Sequence, residues 1–242
     1  MGTRLRRLLG APASVGVALA DGGTVRLRLL APGESAVLSA VFDGMSDRSR
    51  RSRYLTATAQ LSGRMCAALT GVDLTHHVAW VAEVNGRAVG IARFIRLAHD
   101  PRSAEFAAEV IDAHHGRGIG RALLDATATV ATYRGIRCIS ATLDPRNKVS
   151  KALLARLGAQ FRPGADGLLE AGGCLRLPVE PAVDRRAVLA LLHEPRPRTL
   201  ASRLRVAPGR LVDALPDWDA LLGPRPGGGR SAGPTPWQLR GF

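Results

Sequence analysis

Hydrophobic and polar positions change period several times along the chain, and each change predicts an element. Residues 24–30 (TVRLRLL) alternate Val25, Leu27 and Leu29 with Arg26 and Arg28, the two-residue period of a half-buried strand. Behind Pro32, Leu38, Val41 and Phe42 share a helical face, which predicts a helix over residues 32–42. The apolar runs 77–84 (HVAWVAEV) and 87–97 (RAVGIARFIRL) flank Asn85-Gly86, a pair that accepts positive φ and so predicts a β-hairpin. Residues 104–111 (AEFAAEVI) predict the next strand. Over residues 119–134 the period lengthens to that of a helix, with Leu123, Leu124, Val130 and Ala131 inward and Gly135 placed as a C-cap. A strand over 136–143, a helix over 148–157 between Asn147 and Gly158, and short strands near 160–161 and within 167–177 follow. The polar stretch 46–54 (SDRSRRSRY) reads as a solvated basic loop or helix face.

This order of strands, helices and a hairpin predicts a mixed α/β (α+β) layer structure. Residues 22–180 form the expected domain, behind a flexible segment at 1–21. Residues 181–242 make a basic C-terminal extension, with short helices over 187–192 and 210–222 and a disordered Gly/Pro/Arg-rich end.

Charge and cysteine content narrow the class. The chain of 242 residues carries a net charge of +14, and only Lys148 and Lys151 among its 34 basic residues are lysine. Arginine forks suit phosphate and carboxylate recognition, although a genome-wide composition bias gives the same count. The charge is spread along the chain, so no nucleic-acid tail and no nucleic-acid partner is predicted. Cys66, Cys138 and Cys174 are an odd number without close spacing, which points to neither a disulfide framework nor a zinc site. The adjacent pairs His76-His77 and His114-His115 have no acidic or cysteine partner at ligand spacing, so no metal is expected. No apolar run approaches the ~18 residues of a membrane span. Arg4, Arg6 and Arg7 before LLGAPASVGVALA resemble a signal peptide, but Gly10, Pro12 and Gly16 interrupt the apolar stretch, and the cytoplasm is the expected location.

The chemistry concentrates in His114-His115-Gly116-Arg117-Gly118-Ile119-Gly120-Arg121, which joins a strand to a helix. Glycines there let the backbone approach a ligand, the first helical N–H groups lack intrahelical acceptors, and the helix dipole favours an anion. A phosphate-bearing cofactor is the expected guest, reinforced by the charges of Arg117 and Arg121. The same loop followed by Asp144 could also be read as a dinucleotide fold, but several strands and a hairpin precede it.

These residues resemble the GNAT acyl-CoA N-acyltransferase superfamily, over about residues 22–178. The loop His115-Gly116-Arg117-Gly118-Ile119-Gly120 matches the family's central motif, and Asn147, Ser150, Leu153 and Leu157-Gly158 match its downstream one. The wider pattern is similar to the bacterial branch that includes protein-lysine acetyltransferase domains. The resemblance implies a central, mostly antiparallel sheet of about six or seven strands flanked by helices, acetyl-CoA as co-substrate and an amine as acceptor: a protein lysine, an N-terminal amine or a small molecule. It implies a cradle of Gly116, Gly118 and Gly120 with N–H groups from Arg117, Ile119 and Arg121, pantetheine pairing along Val110 and Ile111, and further contacts from Asn147 and Ser150. Two positions depart from the family: His115 replaces a Gln or Arg, and Leu154 stands where many members carry a thiolate-protonating tyrosine.

Acyl transfer to an amine also needs a base. Glu105 and Glu109 lie four residues apart on one strand, hence on one face, and Glu105 best matches where relatives place this group. His114 is a candidate proton donor in place of the missing tyrosine. The contrasting reading is a catalytically silent acyl-CoA-binding regulatory module, suggested by Leu154 and the unassigned extension. A homodimer is compatible with the sequence.

Overall fold

Alternating burial builds the sheet. In the computed structural model, which describes residues 13–55 and 60–193, eight strands form one sheet in the order β1-β2-β3-β4-β5-β6-β8-β7. They are β1 (Val15–Ala18), β2 (Thr24–Leu29), β3 (His77–Val84), β4 (Arg87–Arg96), β5 (Ser103–Val110), β6 (Cys138–Leu143), β7 (Gln160–Pro163) and β8 (Leu169–Cys174). Every neighbouring pair is antiparallel except β5–β6. The β3–β4 hairpin turns at Asn85 and Gly86, whose φ angles are 51° and 77°, as the dipeptide predicts.

Six α-helices flank the sheet among the described residues: α1 (Ser35–Asp43), α2 (Asp47–Tyr54), α3 (Gly63–Thr70), α4 (Ile119–Tyr133), α5 (Lys148–Arg156) and α6 (Arg185–Ala190). On one face, Leu38, Val41 and Phe42 of α1 and Met65 and Leu69 of α3 pack with Ala79, Val81 and Ile91 of the sheet. On the other, Ile119, Leu123 and Val130 of α4 pack with Trp80, Phe94 and Phe106, joined by Leu154 of α5 and Val188 of α6.

Three local differences from the sequence reading have physical causes. The segment expected to be flexible contains β1, because Val15 and Val17 bury their side chains as Val15 pairs with Leu27 and Val17 with Val25. That makes eight strands instead of six or seven. The stretch 46–54, read as a solvated loop or helix face, is helix α2, capped by Ser46, and departs from that reading in burying Tyr54. Helix α3 was not anticipated; Ser62 caps it by accepting the N–H of Met65. Helix α6 falls at Arg185–Ala190, close to the expected 187–192, and packs on α4. Beneath it the buried carboxylate of Asp125 accepts the N–H of Ala182 at 2.8 Å and pairs with Arg156 at 3.3 Å, which fastens the following chain to the domain. The helix expected over 210–222 and the disordered end lie outside the described residues.

Candidate active site

The one parallel pair creates the site. β5 and β6 stay in register only from Ser103–Cys138 to Glu105–Ser140, and beyond that point they diverge. The N–H of Ile111 bonds to Val89 of the β4 side, so strand alternation directs the main-chain groups of Ala108 and Val110 the other way, into the gap. The gap widens into a cleft of about 1180 Å³, lined by β5, the glycine loop, α2, β6 and α5.

The loop leaves donors open. Gly116 and Gly118 have φ of 75° and 88°, where a Cβ is disfavoured, and a Cβ on either would meet no protein atom within 4 Å. Side chains cap α2, α3, α5 and α6, whereas none caps α1 or α4. The N–H groups of Ile119, Gly120 and Arg121 therefore precede the first intrahelical bond, from Ala122 to Gly118, at the positive end of a 15-residue helix. An uncapped helix start with open space over its glycines fits a diphosphate, and the diverging strands fit an extended arm carrying amides.

Helix α2 crosses the mouth and is fastened on both sides. At its start the carboxylate of Asp112 accepts the Ser46 N–H at 2.7 Å and the hydroxyls of Ser46 and Ser49 at 2.8 Å each. Near its end, Asn147 Nδ2 donates to Ser52 Oγ at 2.9 Å, while Asn147 Oδ1 caps α5 by accepting the Ser150 N–H.

Under α2 lies a buried polar floor. Glu109, with its side chain 1% exposed, pairs with Arg53 of α2 and with Arg93 of β4 at 3.3 Å. Arg93 also donates to the carbonyl of Leu69 at 2.6 Å. Beside them the buried Tyr54 hydroxyl has no hydrogen-bond partner, and burial, then the Glu109 charge, push its pKa well above the usual phenol value. Glu105 is half-buried on the same face of β5 and lines the cleft.

The structure brings most of the expected residues together. Glu105, Glu109, Val110, His114, His115, Gly116, Gly118, Ile119, Gly120, Arg121, Asn147 and Ser150 all line the cleft. Several of the expected residues also hold partners within the protein. Ile111 gives its N–H to Val89, and its side chain packs against Gly44, where a Cβ would come within 2.6 Å of it. The Arg117 guanidinium pairs with Asp21 of the β1–β2 turn at 2.6 Å. The Arg121 guanidinium donates to the Glu180 carbonyl at 2.9 Å. Glu109 is committed to two arginines. His114 accepts from Arg117 at its Nδ1, 2.7 Å away, and burial together with that guanidinium holds its pKa below the ordinary value, which favours the neutral ring over a proton-donating imidazolium. His115 Nε2 donates to the Val110 carbonyl at 2.8 Å and so occupies the acceptor half of that residue.

Arg53, Tyr54 and Arg93 were missed. The signal for the first two was the lone aromatic ending a polar helix, which marks its inward face; Arg93, within an apolar strand, gave none that separates it from an outward residue. No group of three metal-ligating side chains occurs among the described residues, and none of their helices is long and apolar enough to cross a membrane.

Comparison with known proteins agrees with this architecture. Residues 47–159 match the model of the acetyltransferase (GNAT) family. The chain is 30% identical to the GNAT domain of S. lividans PAT, covering 68% of this chain and 99% of that one, with a TM-score of 0.62. The chain belongs to the GNAT acetyltransferase family. It is also similar to the acetyltransferase Pat of Mycolicibacterium smegmatis, 36% identical over 90 residues. That match spans 36% of this chain and about a quarter (27%) of the relative's length. A cAMP-binding acyltransferase from Mycobacterium smegmatis shares the fold at 23% identity and a TM-score of 0.50, covering 80% of this chain and 63% of that one.

Proposed function

We propose that this chain transfers an acetyl group from acetyl-CoA to a primary amine of a protein lysine, an N-terminus or a small molecule, in the cytoplasm. One observation carries the reading: an uncapped helix start beneath two left-handed glycines opens directly into a strand gap with a carboxylate on its wall. The amides of Ile119, Gly120 and Arg121 would hold the diphosphate of the co-substrate. The main chain of Ala108 and Val110 would pair with its amide-bearing arm, with the Val110 carbonyl released by His115. Glu105 would take a proton from the incoming ammonium, directly or through water. The amine nitrogen then bonds to the acyl carbon as the carbon–sulfur bond breaks, and the remaining excess N–H proton passes through water to the departing thiolate, leaving a neutral amide and a free thiol.

Leu154 favours a second reading. It is 6% exposed and packed in the core, so this position offers no hydroxyl to the leaving thiolate. A domain that binds acyl-CoA without turning it over fits that substitution. Acetyl-CoA turnover against a panel of amines separates the two. The enzyme reading requires turnover that falls by about 10²–10⁴ in Glu105→Gln with CoA affinity retained. Tight binding with no turnover supports the silent module, and calorimetry showing no CoA uptake by folded protein overturns both.

A further inference from the structure

Cys138 and Cys174 are 36 positions apart in sequence and directly opposite in the sheet, as the partners that begin the β6–β8 ladder. The neighbouring residues establish which kind of pair they form. Leu175 donates its N–H to the Arg137 carbonyl at 2.7 Å, so Arg137 and Leu175 are a hydrogen-bonded pair, and the pair beside it is non-hydrogen-bonded. Consistently, Cys138 donates its N–H away from β8, to Arg102 at 3.0 Å. The Cys174 carbonyl also turns outward, against Gly158, where a Cβ would collide with it.

Non-hydrogen-bonded partners in antiparallel strands have Cα atoms about 4.5 Å apart, with both Cβ atoms on one face. That separation lies within the roughly 4.4–6.8 Å span of disulfides. Both thiols are free; Cys138 is half-buried and Cys174 exposed, so a small reagent can reach the pair. Cys66 lies elsewhere, on α3 among the residues that pack with α1.

We infer that Cys138 and Cys174 form a redox-active dithiol that closes to a cross-strand disulfide on exchange with low-molecular-weight disulfides. One cysteine thiolate attacks the small disulfide, forming a mixed disulfide and releasing one small thiol. The second cysteine thiolate then attacks the protein sulfur of that intermediate and releases the other. Two protein thiols are oxidised, one small disulfide is reduced to two thiols, and the two thiol protons pass to them. The bridge fastens β6 to β8. Ser140, two residues on and on the same face as Cys138, is the register partner of Glu105, so the bridge fixes the strand that walls the cleft. This inference stands independently of the proposed activity.

The test equilibrates the full chain with glutathione disulfide, blocks remaining thiols, and maps peptides by mass without reduction. The expected product is monomeric, two hydrogens lighter, with the Cys138 and Cys174 peptides joined and Cys66 blocked. Its melting temperature should exceed that of the reduced protein by roughly 4–16 °C, the shift for a disulfide in a domain of this size. Cys66→Ser should still bridge, whereas Cys138→Ser and Cys174→Ser should each take a glutathione adduct instead. Separate capping of Cys138 and Cys174 in the wild-type chain, a bridge involving Cys66, or a bridge only between chains overturns the inference.

Discussion

Asn147 holds Ser52: a single amide caps α5 through its oxygen and grips α2 through its nitrogen, so the two walls of the cleft share one side chain. A residue that looks like a helix cap in sequence thus also sets the width of the opening.

Replacing Asn147 by Ala should separate these roles. Loss of the cap costs about 1 kcal/mol of stability. Ser52→Ala keeps the cap and releases only α2, so its urea midpoint should move less than that of Asn147→Ala while CoA affinity measured by calorimetry changes in both. Equal stability losses in the two variants would contradict the shared-residue geometry.

The two carboxylates of β5 should respond oppositely to neutralisation. Glu109→Gln leaves Arg53 and Arg93 buried without a counter-charge, a loss of about 3–5 kcal/mol. Glu105→Gln, at a half-buried position, should cost less than about 1 kcal/mol, with its effect falling on turnover. Urea unfolding of both variants distinguishes a structural from a chemical carboxylate.

Gly118 sits at φ 88°, and an alanine there would carry about 1–2 kcal/mol of strain. If the strain is relieved by rotating the loop, the amides of Ile119 to Arg121 turn from the cleft. Gly118→Ala should therefore weaken CoA binding by about tenfold or more in calorimetry, a larger effect than its shift in thermal midpoint predicts.

His77 provides a pH signature unconnected with the cleft chemistry. It is buried on β3, and burial followed by the nearby Arg93 charge lowers its pKa from 6.5 to about 3. The folded state therefore keeps the ring neutral where the unfolded chain already binds a proton. The contribution is complete above pH 6.5 and is lost as pH falls from 6.5 toward 3. At pH 4.5 the native state should have lost about 2–3 kcal/mol from this group. His77→Phe should flatten the difference in unfolding free energy between pH 7 and pH 4.5 by that amount; an unchanged slope would contradict the assignment.

Local signals made much of this architecture readable in advance. Asn85-Gly86 specified a hairpin because few dipeptides tolerate its φ angles, and the glycines of 116–120 specified a loop for the same reason. Helix α4 was legible through its long apolar face. Hidden elements lacked such signals: β1 has only Val15 and Val17 to show, and α2 has a single aromatic. Three of the contacts around the site turn on partners distant in sequence. Arg117 meets Asp21, Arg121 meets Glu180, and Glu109 meets Arg53, and only the closed sheet places them side by side. The opposed cysteines belong with these, since strand register is a property of the fold and not of spacing along the chain.

The divergence of β5 from β6 also selects the chemistry of whatever enters there. Ala108 offers a donor and an acceptor and Val110 a donor at the repeat of a strand, so on the proposed reading a guest that inserts would act as a short surrogate strand. A plain hydrocarbon tether of equal length would strand those groups dry, at about 1–3 kcal/mol for each. On the proposed reading the sheet itself would thereby discriminate an amide-bearing arm from a greasy one.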